Sequence, residues 1–157
     1  MNKNTGFTLI ELLIAMIVLA VGLLGLAGLQ ATSLKNNQSA YNRIKATQLA
    51  YDIADRMRAN ITEPKGSGNV YLTATPAAVE GCTNSTGCLS DKMAQNDLYE
   101  WNRAIDATTN PSGGLPNGTG KITVSGNIFT ITINWTENRE KDVKGKSDTS
   151  FKMSFQL

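Results

Sequence analysis

The sequence predicts an α+β protein in which a long N-terminal helix packs on a small C-terminal antiparallel sheet. Three observations carry that expectation. Residues 6–29 read GFTLIELLIAMIVLAVGLLGLAGL, with Glu11 the one charged side chain. The helical pattern then continues to Asn60 without a proline and becomes one-sided. Near the C-terminus, Ile128 to Thr136 and Thr149 to Leu157 alternate apolar and polar residues as half-buried strands do. Neither a single helix nor three strands can bury an apolar face alone, so each supplies the other's missing side.

The first half of the helix is membrane-spanning by length. Gly6 to Leu29 would rise roughly 35 Å at about 1.5 Å per residue, slightly more than the roughly 30 Å hydrocarbon thickness of a bilayer. Met1 to Gly6 is short, polar and basic through Lys3 and the starting amine, which favours a cytoplasmic N-terminus. Gly22, Gly25 and Gly28 recur every third residue and permit close helix packing. Glu11 is the anomaly, because an ionisable group within a spanning helix is costly and requires a partner. Nothing basic lies within the apolar run. Cutting the Gly6–Phe7 bond would create an α-amine one helical turn away, with a reference pKa near 8. That amine, or its equivalent on a neighbouring copy, would turn the desolvated carboxylate into half of an ion pair.

Gly6-Phe7-Thr8-Leu9-Ile10-Glu11, followed by eighteen residues without a charge, resembles the class III signal of type IV prepilins and related pseudopilins. The resemblance implies removal of residues 1–6 by a membrane aspartyl peptidase, N-methylation of Phe7 and use of Glu11 in subunit assembly. A secretory signal peptide has a shorter apolar core with a small-residue cleavage site after it. A plain membrane anchor would explain the length but neither Glu11 nor the Gly-Phe junction.

In the second half of the helix, a turn of about 100° per residue puts Ala46, Leu49, Ala50, Ile53, Ala54 and Met57 on one side, away from Lys45, Asp52, Asp55 and Arg56. Asp52 and Arg56 have the spacing of a helical ion pair. Phe7 to about Asn60 therefore reads as one helix on the order of 80 Å long, ended by Glu63-Pro64 and Gly66-Ser67-Gly68. The stretch from Leu23 to Asn60 resembles the minor pilins called PilV.

Pro64 to Leu89 is a connector rich in Gly, Ser, Thr and Asn, with Val70-Tyr71-Leu72 as a short strand. Cys82 and Cys88 are an even pair at short spacing in an exported chain, which predicts a disulfide. A zinc site would need four ligands, and the others are not evident. Many pilins carry their disulfide nearer the C-terminus, so this loop departs from the family pattern. Ser90 to Asp106 reads as a helix with Ala94, Leu98, Trp101 and Ile105 on its buried face and Ser90 as N-cap. Gly126-Asn127 joins strands Lys121 to Ser125 and Ile128 to Thr136 in a hairpin. Between that hairpin and the last strand, Glu137 to Asp148 carries balanced charges and reads as a solvated loop.

The 157 residues divide into a leader (1–6), a transmembrane and assembly helix (7–29) and one ectodomain (30–157). The chain lacks histidine and carries a net charge of +2. The first removes the usual general base and commonest metal ligand, and the second is not the footprint of a dedicated nucleic-acid binder. The expectation is a non-enzymatic protein without cofactor or metal. The resemblance implies a minor pilin that helps initiate type IV pilus assembly or modify the tip, held in the inner membrane with its ectodomain in the periplasm. Its implied partners are the prepilin peptidase and methyltransferase, other major and minor pilins, the pilus assembly machinery and inner membrane lipid. A minor pseudopilin of a type II secretion system would share the same N-terminal physics. A membrane-anchored adhesin or DNA-uptake receptor would need a ligand surface on the ectodomain.

Overall fold

The computed structural model describes residues 8–61, 69–82, 87–137 and 147–157. The expected Gly6–Phe7 junction, the Glu63 to Gly68 helix stop and most of the charged loop after Glu137 lie outside them. Helix α1 spans Leu9–Ala59, α2 Val70–Thr73 and α3 Ser90–Ile105; strands β1 (Thr119–Ser125), β2 (Ile128–Glu137) and β3 (Ser147–Gln156) follow. The chain forms two units, residues 1–40 and 41–157.

The second unit holds the core. Ala46, Leu49, Ala50, Ile53, Ala54 and Met57 of α1 join Ala94, Leu98, Trp101 and Ile105 of α3 and Ile122, Phe129, Ile131, Ile133 and Trp135 of the sheet in one buried cluster. Alanine at 46, 50 and 54, all fully buried, keeps the α1 surface low so that larger side chains can close on it. Full burial of side chains such as Ile53, Ile131 and Ile133 contributes about 2 kcal/mol each. Trp101 reaches from α3 to donate its indole N–H to the Leu49 carbonyl at 2.8 Å, so its polar edge is satisfied inside the core.

The sheet is antiparallel in the order β1-β2-β3. Its register puts Ile122 opposite Ile131 and Ile131 opposite Met153, while Phe129 faces Phe155 with ring centroids 5.9 Å apart. On the other face, Thr130 and Ser154 share a 2.9 Å hydrogen bond. Gly126 takes φ +59° at the first position of the hairpin connection, a conformation costly for any residue with a Cβ.

Three local expectations are corrected. Val70 to Leu72 is not a strand but part of the helical turn α2. That turn sends Tyr71 into the core with its hydroxyl donating to Asp97 Oδ2 at 2.7 Å, and this tertiary contact outweighs the β-propensity of the three residues. The N-cap of α3 is Leu89, in an extended conformation, and Ser90 is the first helical residue. The Ser90 carbonyl accepts from Asn60 Nδ2 at 2.8 Å, which draws Ser90 toward the end of α1. Strand β1 begins at Thr119, two residues before Lys121, because Gly120 can pass beneath Trp101: a Cβ there would stand 2.5 Å from the indole ring.

Candidate functional site

In residues 8–40 the notable feature is an exposed apolar helix surface. Every residue of α1 from Leu9 to Gln38 is exposed, including Leu9 at 84%, Leu24 at 73% and Leu29 at 70%. This part of α1 is long and apolar enough to cross a membrane, and none of that window is buried. A Cβ added at Gly22, Gly25 or Gly28 would meet nothing within 4 Å, leaving room for a close helix neighbour. An exposed apolar surface of this extent calls for lipid or another apolar helix.

Glu11 lies in the first turn of α1, where a carboxylate is favoured by the helix dipole. The Thr8 carbonyl accepts from the backbone N–H groups of Glu11 and Leu12 at 3.1 and 3.3 Å. Among the described residues no ion pair reaches Glu11. The geometry is therefore an apolar rod bearing one negative charge near its tip.

The second unit carries a polar arrangement of its own. Arg56 Nε donates to Asp52 Oδ2 at 3.2 Å, and Arg56 Nη1 donates to Asp97 Oδ1 at 3.1 Å and Glu100 Oε2 at 2.7 Å. The expected Asp52–Arg56 pair is thus one edge of a larger network. Asn60 Nδ2 approaches the Tyr71 hydroxyl at 3.3 Å, and Asn96 Nδ2 donates to Glu100 Oε1 at 3.1 Å. Burial disfavours charge on Arg56, but the hydrogen bond to Glu100, the charge of Asp52 and the bonds to Asp97 and Asp52 outweigh it. The guanidinium is consequently held charged more firmly than usual. Its hydrogen bond pulls the Glu100 carboxyl below its ordinary range, against a smaller desolvation effect. Burial, and then the bond to Asp97, push the Tyr71 phenol above its ordinary range despite Asn60 and Arg56. The partners of Arg56 on α3 lie more than forty residues away, so helical spacing pointed to Asp52 alone.

Cys82 and Cys88 are bridged, with sulfurs 2.10 Å apart. A chain-entropy estimate for so short a loop gives about 2 to 3 kcal/mol. The bridge leads directly into α3, and Cys88 helps line a 230 Å³ recess with Arg56, Asn60, Met93 and Asp97. Among the described residues no cluster of three or more acidic, histidine or cysteine side chains is placed to hold a metal. The arrangement of Arg56, Asp97, Glu100 and Tyr71 is a clasp between α1, α2 and α3.

Two family models match the chain. Residues 1–27 match the prokaryotic N-terminal methylation motif, and residues 28–99 match type IV pilin Tt1218. No curated protein and no solved structure matches it. The two matched segments adjoin and take in the apolar rod, its acidic residue, the alanine-rich stripe and most of the clasp. On that sequence and that architecture, the chain belongs to the type IV pilins.

Proposed function

We propose that this pilin is a minor subunit, resembling the PilV type, that helps initiate pilus assembly or modify the tip. Its leader is cut between Gly6 and Phe7, Phe7 is N-methylated, and the mature protein waits in the inner membrane with its ectodomain in the periplasm. The observation carrying this reading is the exposed apolar run of α1 with Glu11 in its first turn. A lone carboxylate in low dielectric bears a desolvation cost, which a neighbouring subunit's new α-amine would offset. The subunit is thereby drawn beside another pilin as the apolar surfaces pack.

Mass spectrometry of the native protein tests the processing step. The expected mature species starts at Phe7 with one added methyl group. A species retaining Met1, or one starting well downstream of the rod, would overturn the reading. Deletion of the gene separates the two machineries that use such subunits: loss of surface pili supports the pilus. Loss of enzyme secretion with pili intact would assign the chain to a type II secretion system as a minor pseudopilin.

A further inference from the structure

At the C-terminal end of α3 a guanidinium is left without an acid. Carboxylates stand one helical turn before and one turn after Arg103, and both are engaged elsewhere. Glu100 accepts from Arg56 Nη1 at 2.7 Å and from Asn96 Nδ2 at 3.1 Å. Asp106 accepts from the Thr108 backbone N–H at 2.9 Å and from the Thr108 hydroxyl. Among the described residues no ion pair reaches Arg103. The helix end does not need this cation either, although basic residues in a last turn commonly offset the dipole. The Asn102 carbonyl accepts from the Asp106 N–H at 3.2 Å, that of Arg103 from the Thr109 hydroxyl at 2.9 Å, and that of Ile105 from the Leu115 N–H at 2.6 Å. The guanidinium lies instead over the Tyr99 ring, 5.7 Å from its centroid and one turn back along the helix. Stacking of this kind orients the planar fork.

Beside it is a recess of 260 Å³ lined by Glu100, Arg103, Ala104, Thr109 and Asn110. Asn110 is half-buried. A Cβ on Gly113 would stand 3.2 Å from Asn110 Nδ2 and 3.6 Å from Lys45 Nζ, so the amide and a second cation share this turn. With Glu100 matched by Arg56, the charges around the turn are Arg103 and Lys45 against Asp106. We propose that the recess takes the carboxylate of an aspartate or glutamate side chain from a protein partner. The Arg103 fork holds it, with the Asn110 amide as a second donor. A carboxylate matches the planar fork with two parallel hydrogen bonds, and Ala104 offers an apolar wall to its methylenes. The volume is below the roughly 300 to 1,000 Å³ of pockets that enclose a small molecule, so one side chain at an interface fits better than a free ligand. A lipid headgroup fits worse, because anionic membranes are bound by clusters of basic side chains and Arg103 is the single cation among the lining residues.

The test uses the full chain in its native host, with a photo-crosslinking phenylalanine derivative at exposed Ser112, beside the recess, or, as control, at exposed Thr123 on the sheet. Position 112 is expected to yield a protein adduct about tenfold above position 123, and mass spectrometry should place an aspartate or glutamate in the partner's crosslinked peptide. Arg103→Glu should lower that yield about tenfold. Arg103→Lys, which keeps the charge but not the fork, should fall between, and replacing the partner's acidic residue by arginine should restore the yield with Arg103→Glu. A yield that ignores residue 103, lipid adducts alone or no adduct would overturn the proposal. The near-ultraviolet signal of Trp101 reports folding of each variant, and Arg103→Gln makes the same comparison should the charge reversal disturb it. Cleavage at Gly6 is read separately by mass spectrometry of the native chain, so loss of this contact would leave the pilin reading standing.

Discussion

At Arg56 one guanidinium faces three carboxylates, and the most buried of them, Asp97, also accepts from Tyr71. Removing the cation strands Asp97, whose side chain is only 7% exposed. Because Arg56 and Glu100 remain partly solvated, Arg56→Met should cost about 2 to 3 kcal/mol rather than the full figure for a buried pair, measurable by urea unfolding of the detergent-solubilised chain through tryptophan fluorescence. The pH dependence has two limbs. Glu100 has a folded value below its ordinary 4.5, so its contribution is complete above that pH and drains away as pH falls through the folded value. Tyr71 is raised above its ordinary 10.0, so its contribution is complete below that pH and is lost as pH rises past it. Glu100→Gln should flatten the acid limb of a stability–pH curve and Tyr71→Phe the alkaline limb. Gly120→Val would drive a branched side chain into Trp101 and Ile105, with an expected loss of about 2 to 3 kcal/mol and a changed near-ultraviolet signal from the indole.

At the scale of elements, periodicity was informative wherever a surface had one buried side. The stripe of α1, the face of α3 from Ala94 to Ile105 and the alternation of β2 could be read because burial repeats every 3.6 or every 2 residues. The Gly126-Asn127 connection could be read because the turn demands positive φ at its first position. Val70 to Leu72 misled because a single turn is too short to have a period, and its conformation is decided by Asp97 on another helix. The place of Ser90 and the clasp were hidden for the same reason: Asn60, which donates to the Ser90 carbonyl, and the α3 partners of Arg56 are distant in sequence. The disulfide lies just before α3, so replacing Cys82 and Cys88 by serine should lower stability by about 2 kcal/mol. Circular dichroism should still report the helices and the Trp101 packing, because the core does not depend on the bridge.

At the scale of the whole molecule, two units divide the work: residues 41–157 hold the core, and residues 8–40 present an apolar surface to their surroundings. Glu11→Val should leave membrane insertion and folding of residues 41–157 intact, yet reduce crosslinking to other pilins. Unchanged crosslinking would remove Glu11 from the assembly step. The family and the long apolar helix were legible from the first sixty residues because an acidic group inside an apolar run is so rarely tolerated; the tasks of residues 41–157 leave no comparable mark. The clasp has a mechanical meaning too. Tension arriving along the helix axis would load the indole–carbonyl bond at Leu49 and the guanidinium contacts at Asp97 and Glu100 in parallel, in shear rather than one after another. Pulled in that direction, the second unit should resist more force than when its strands are peeled apart from the C-terminus, and loss of the guanidinium should narrow the difference.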